Sequence, residues 1–284
     1  MNRHIELIAL DLDGTLFDNR SMISAKNKDA IRQAVEQGVT VVISTGRPYS
    51  GLPLSDMEEL GIRYAITANG SAIYRVPEKE LLYENALSWE EGTALLQELS
   101  HHELRMDAFI NGTGYTQASN TDITDLLDMP DSLKQYIRNS RNIVPDLTEY
   151  VRANRFSVTK LTMNFVPNAQ GNFPERDRAE AVLKAHPEIT YVCGGFHNLE
   201  LTKKGVSKSE GLAFLCRMLS IPIENTLTCG DSENDLDIVR AAGIGVAMGN
   251  AAPLIKEAAD FISLTNEEDG VAYAIEKFVL RTGL

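Results

Sequence analysis

The chain has 284 residues, long enough as a prior for two domains of about 150 residues each. Apolar residues make up 43% and charged residues 24%, as in an ordinary globular protein, and no apolar run approaches the roughly 20 residues of a membrane span. With 27 basic against 40 acidic residues the net charge is −13, which excludes nucleic acid and anionic lipid as natural partners and requires any phosphate site to be locally positive.

The first 83 residues predict alternating strands and helices. Ile5–Leu10 is a mostly apolar strand that stops abruptly at Asp11-Leu12-Asp13-Gly14-Thr15. A helix over 24–37 follows, with Ser24 as N-cap and Gly38 as stop. Val39–Ile43 is a β-branched strand closed by Ser44-Thr45-Gly46-Arg47-Pro48, and a helix over 50–60 ends at Gly61. Tyr64–Ala68 is another strand; the turn pair Asn69-Gly70 joins it to a hairpin partner at 71–74. This alternation implies a doubly wound α/β core with a parallel sheet.

Residues 84–194 differ in texture. They combine a helix (89–100), the Gly-rich stretch Asn111–Gly114, polar helical pieces (121–139) and strands near 158–166 and 189–193, and they read as a separate α+β insert. From 195 the βαβ pattern resumes. Ser207 caps a helix whose Leu212, Leu215, Cys216 and Leu219 share one face; 225–229 and 244–248 are strands, and 268–280 is a closing helix. The core thus spans 1–83 and 195–284. Cys193, Cys216 and Cys229 show no metal spacing and read as reduced thiols of a cytoplasmic protein; a strand so close to Met1 predicts no signal peptide.

Polar groups stand at several predicted strand ends: Asp11 and Asp13, Thr45-Gly46, and Asp231 with Asn234-Asp235. In open α/β sheets, ligands bind beyond the carboxyl ends of the strands, where strand order reverses. Strand periodicity points Asp11 and Asp13 to one side, and like charges there are costly unless a cation uses them. A bound Mg²⁺ would offset that cost. A calcium loop is excluded, because Gly14 follows Asp11 by three residues and follows a strand. Acidic turns also occur as solvated surface features, and Thr45 or Lys208 alone would carry nothing; the constellation is what points to phosphoryl transfer.

Taken in order, Asp11–Thr15, Thr45, Lys208 and Gly230-Asp231-x-x-Asn234-Asp235 resemble the four motifs of the haloacid dehalogenase superfamily. Ala242–Ala251 and Glu268–Ala272 are similar to its Cof-type sugar and metabolite phosphatases, and the insert matches a C2-type cap in position and size. The resemblance implies that Asp11 is the nucleophile and that Asp13 is the general acid and base. It further implies that Asp11, Asp231 and the Asp13 backbone carbonyl hold Mg²⁺, and that Asp235 orients the groups around them. Lys208, Thr45, Asn234 and the amides of Leu12 and Gly46 would then bind the phosphoryl group. Arg47, next to Thr45, is a candidate substrate contact. The expected activity is hydrolysis of a small phosphorylated metabolite, a sugar phosphate above all. The alternatives are a phosphomutase of the same superfamily and a non-catalytic sensor of phosphorylated metabolites. The physiological substrate and oligomeric state are not legible in the sequence.

Overall fold

The computed structural model describes residues 4–100 and 104–281. It divides into two compact units: Met1–Gly46, Pro53–Tyr83 and Ser207–Leu284 form one, and Arg47–Leu52 with Glu84–Val206 form the other. In chain order the strands are β1 (Leu7–Leu10), β2 (Thr40–Ser44), β3 (Tyr64–Thr67), β4 (Ala72–Arg75) and β5 (Glu80–Glu84), then β6 (Leu104–Ile110), β7 (Thr113–Gln117), β8 (Arg141–Val144), β9 (Lys160–Phe165), β10 (Ile189–Val192) and β11 (Leu199–Lys203), and finally β12 (Thr226–Gly230), β13 (Ile244–Ala247) and β14 (Phe261–Ile262).

The first unit is built on an eight-stranded sheet ordered β14-β13-β12-β1-β2-β3-β4-β5. From β14 to β3 the strands are parallel, and β4 turns back antiparallel on β3. This is the parallel α/β core that the strand–helix alternation predicts. β1 lies between β2 and β12, so the chain leaves β1 to one side and returns after the insert to the other. That reversal makes the carboxyl ends of β1 and β12 a switch point, where ligands bind in such sheets. Leu7, Ala9, Val42 and Ile66 pack against Leu212, Leu215 and Cys216 of the helix Lys208–Leu219, as its apolar face requires.

In the second unit the sheet order is β10-β11-β9-β6-β7-β8, antiparallel apart from the parallel pair β7–β8. One face carries Leu104, Met106 and Ala108 of β6 and Leu161 and Met163 of β9; it packs against Leu95, Leu96 and Leu99, Leu147 and Val151, and Ala179 and Leu183 from three helices. By strand alternation the opposite face carries Arg105, Asp107, Lys160, Thr162 and Glu200, which are buried as well.

The insert boundary differs from the one read in the sequence. The second unit runs to Val206 rather than 194, because β11 pairs with β9 and β10 and so completes the insert's sheet. It also takes in Arg47–Leu52, where the Ser50 amide donates to the Gly112 carbonyl at 2.9 Å. The helix expected over 50–60 is broken at Pro53 and survives as Leu54–Glu59. No described helix is long and apolar enough to cross a membrane.

Candidate active site

Asp11 directly follows β1. Its amide donates to the Cys229 carbonyl of β12 at 3.1 Å, which ties the two strand ends together. The chain then turns tightly: the Leu16 amide donates to the Asp11 carbonyl at 3.2 Å, and Phe17 to Leu12 at 2.9 Å. The paired strand ends at Leu10, while Asp11 itself keeps extended backbone. Asp11 is buried, whereas the Asp13 side chain is exposed. Gly14 sits at φ +79°, and a Cβ there would lie 2.5 Å from the Asp231 carboxylate. The position therefore demands glycine on both backbone and steric grounds.

Asp231 follows β12. Its Oδ1 accepts a hydrogen bond from the Thr15 hydroxyl at 3.1 Å, and its carbonyl accepts from the Ala252 amide at 2.9 Å. Asp235 lies one turn further on. Its Oδ2 accepts from the amides of Asp231 (3.0 Å) and Ser232 (3.2 Å), so it fixes the loop that presents Asp231.

Lys208 is the first residue of the helix Lys208–Leu219, capped by the Ser207 hydroxyl. It is fully buried, and its Nζ donates at 2.7 Å to Oδ1 of both Asp11 and Asp235. Gly70, at φ +100°, packs so closely on the Ser207 carbonyl that any Cβ would overlap it. Thr45, just past β2, is buried; its amide donates to the Ile66 carbonyl (2.9 Å) and its carbonyl accepts from the Asn69 amide (3.1 Å). Asn234 donates to the Asn69 side-chain oxygen at 3.2 Å and accepts from Ser232 at 2.9 Å.

Asp11, Asp231 and Asp235 thus offer carboxylate oxygens within 4.8 Å of one another; the Asp13 carboxylate is not part of this group. Burial pushes the Asp11 carboxyl well above its ordinary range; Lys208 works against that, and Asp235, Asp231 and Asp13 reinforce it. Burial, followed by Asp235, pushes Asp231 up to about 7. Burial alone would lower the Lys208 ammonium, but Asp11 and Asp235 outweigh it and hold the group above its usual value. Three carboxylates facing one ammonium leave two negative charges in excess, and hard oxygen donors with that excess fit a divalent cation. Both Asp235 oxygens are already engaged by Lys208 and backbone amides, so Asp11 and Asp231 have the open donors.

The structure therefore brings together Asp11, Asp231, Asp235 and Lys208, with Asn234 held through Asn69. Arg47 falls in the other unit, where its guanidinium lies 3.9 Å from the Tyr136 ring centroid and donates to the Gly51 carbonyl at 3.2 Å. Asn69 and Thr15 were missed as site residues. Asn69 reads as a plain turn residue, although its place at the end of β3, beside the end of β2, was a usable signal.

The family model for haloacid dehalogenase-like hydrolases matches residues 8–275. The chain belongs to this family. Phosphatase YwpJ of Bacillus subtilis (strain 168) is 32% identical to this hydrolase, over 96% of this chain and 99% of its own. A haloacid dehalogenase-like hydrolase from B. subtilis superposes with a TM-score of 0.85 at 30% identity, covering 97% of this chain and all of its own. The subclass IIB sugar phosphatase BT4131 superposes with a TM-score of 0.81 at 25% identity, over 96% of this chain and 98% of its own. This haloacid dehalogenase-like hydrolase is a phosphatase, and its substrate is a phosphorylated small molecule.

Proposed function

We propose that this hydrolase is a Mg²⁺-dependent phosphatase of small phosphate monoesters, sugar phosphates in particular, working through an aspartyl phosphate on Asp11. One observation carries the reading: a fully buried lysine bridges two carboxylates while a third faces them, leaving a locally anionic pocket that a divalent cation would neutralise. Asp11 and Asp231 would hold the ion, with the Asp13 backbone carbonyl, and when bound it would offset phosphoryl charge as a Lewis acid.

In this mechanism the Asp11 carboxylate attacks phosphorus as the ester oxygen leaves, and the Asp13 carboxyl gives that oxygen its proton. The Asp13 carboxylate then takes a proton from water, whose oxygen attacks phosphorus and frees both inorganic phosphate and Asp11. Exposure suits Asp13 to this work, since it must reach both leaving group and water. Lys208 neutralises Asp11 and the phosphoryl oxygens. Thr45, Asn234 and the Leu12 and Gly46 amides donate hydrogen bonds to the phosphoryl group. Asp235 positions Lys208 and the Asp231 loop.

The insert acts as a C2-type cap that selects the leaving group, with Arg47 contributing to that selection. The sugar phosphatase named above supports the substrate class by analogy. Cys193, Cys216 and Cys229 form no disulfide, which suits a cytoplasmic enzyme.

The test is inorganic phosphate release from a panel of phosphorylated metabolites, with Mg²⁺, with EDTA, and with Asp11→Asn. Release that needs Mg²⁺ and is lost in the variant is the expected result. Turnover in EDTA refutes the metal requirement. Transfer of phosphate between sugars without net release would favour a mutase.

A further inference from the structure

The six-stranded unit holds a second charged cluster, made of residues that take no part in the catalytic group. Asp107 on β6 is fully buried between two guanidiniums. Arg105 Nη2 lies 3.2 Å from its Oδ1, and Arg141 Nε donates to its Oδ2 at 2.9 Å. The Arg105 and Arg141 side chains retain only 2% and 6% of their exposure, so this buried triad carries a net positive charge of one. The neighbouring buried pair Lys160–Glu200, at 2.9 Å, is internally neutral.

A buried charge without a partner is destabilising by several kcal/mol in general, and guanidinium forks match carboxylate and phosphate oxygens. Arg105 Nη1 donates to the Thr124 hydroxyl at 2.6 Å and the Asn120 carbonyl at 3.2 Å, but its buried Nε has no hydrogen-bond partner. Arg141 is held over the Phe109 ring at 4.9 Å and donates to the Ser140 hydroxyl at 2.7 Å, so its orientation is fixed. Both arginines line a cleft of about 310 Å³, together with the buried Thr116 hydroxyl. At the rim Arg138 pairs with Asp125, leaving Asp122 as an exposed carboxylate.

From this arrangement we infer that the cleft floored by Arg105, Arg141 and Thr116 is a binding site for a small oxyanion, the carboxylate or phosphate group of a metabolite. Its volume stands at the lower end of small-molecule sites, so the occupant has few heavy atoms. The two guanidiniums supply charge and donors; the Thr116 hydroxyl, which already donates to the Met106 carbonyl at 3.4 Å, only shapes the floor. Asp107 keeps the guanidiniums apart and oriented when the cleft is empty. The site is independent of the catalytic proposal and does not require turnover.

Crystals soaked in tungstate should show an anomalous peak within hydrogen-bond reach of both Arg105 and Arg141. Calorimetric titration of the full chain with inorganic phosphate and with succinate should give binding tighter than about 1 mM for at least one probe. Arg138→Glu, an exposed change that leaves the triad intact, should weaken that binding roughly tenfold or more by placing a carboxylate at the rim. Arg141→Gln should abolish it while leaving a neutral Arg105–Asp107 pair. Tighter binding of succinate assigns a carboxylate ligand, and tighter binding of phosphate a phosphate ligand. A tungstate peak beside Lys208 alone overturns the site. So does a peak at the cleft without measurable affinity in solution, or affinity unchanged in both variants.

Discussion

The two units deploy buried charge in opposite ways. In the eight-stranded unit the charges stand at strand ends, three carboxylates around one ammonium; in the six-stranded unit they stand mid-strand on a sheet face, two guanidiniums around one carboxylate. Each cluster is balanced on a single minority charge, Lys208 in one and Asp107 in the other. Excess charge of either sign is a standing cost in a protein interior, so each cluster is poised to receive the opposite charge from outside. On the function and the inference proposed above, the first would receive a cation and a phosphoryl group, the second an oxyanion.

The largest effect should come from the chemistry itself. Asp11→Asn should lower phosphate release by about four orders of magnitude or more, since it removes the proposed nucleophile. Its far-UV circular dichroism should stay native, because the amide oxygen still accepts from Lys208. Near-normal turnover would refute the nucleophile assignment.

Removing either minority charge should come next. Lys208→Met leaves Asp11 and Asp235 buried without their cation, and Asp107→Asn leaves two guanidiniums facing each other. Each should cost about 3–5 kcal/mol in urea unfolding of the metal-free protein. Asp235→Asn and Arg105→Met, which remove majority charges, should cost less than their counterparts. The comparison breaks if majority and minority substitutions cost the same.

A pH effect follows from the carboxylate-rich cluster. Asp231 titrates near 7 in the folded chain, whereas an unfolded aspartate titrates near 4. Between these values the folded state holds a proton that the unfolded state has lost, so metal-free stability should fall as pH rises from about 4 to 7, by about 4 kcal/mol at ~1.4 kcal/mol per pH unit. Mg²⁺ should then stabilise more at pH 8 than at pH 5.5, as read by thermal unfolding. A metal-induced shift that is larger at pH 5.5 would contradict the charge balance.

The smallest effect is a control on helix structure. Ser88 and Glu91 form a reciprocal capping box at the start of Trp89–Leu99. Ser88→Ala should cost about 1 kcal/mol with no change in phosphate release.

The same contrast accounts for what the sequence discloses. Asp11 and Asp231 are legible because each ends an apolar run, and Thr45 because it ends a β-branched one. Lys208 begins an ordinary-looking amphipathic helix and takes its meaning only from the motif order. β6 escapes notice because Arg105 and Asp107 interrupt its apolar pattern, although the alternation with Leu104, Met106 and Ala108 is that of a sheet with one polar face. The hairpin of β6 and β7 around Asn111-Gly112 is hidden for the same reason. β11 was assigned to the core because nothing in Leu199–Lys203 states its pairing partner, which is a long-range choice. Asn69 lacks any charge that would raise it above a turn residue.

The close fit of Gly70 against the Ser207 carbonyl has a consequence for how this chain can vary. Gly70 precedes the insert and Ser207 follows it, and Thr15 with Asp231 and Tyr83 with Phe214 also join the two halves of the catalytic unit. The segments are thus clasped to each other from within, so the buried Lys208 takes its position from a residue in the other half of its own unit. What lies between Glu84 and Val206 can therefore be lengthened, trimmed or replaced as a module without breaking these joins.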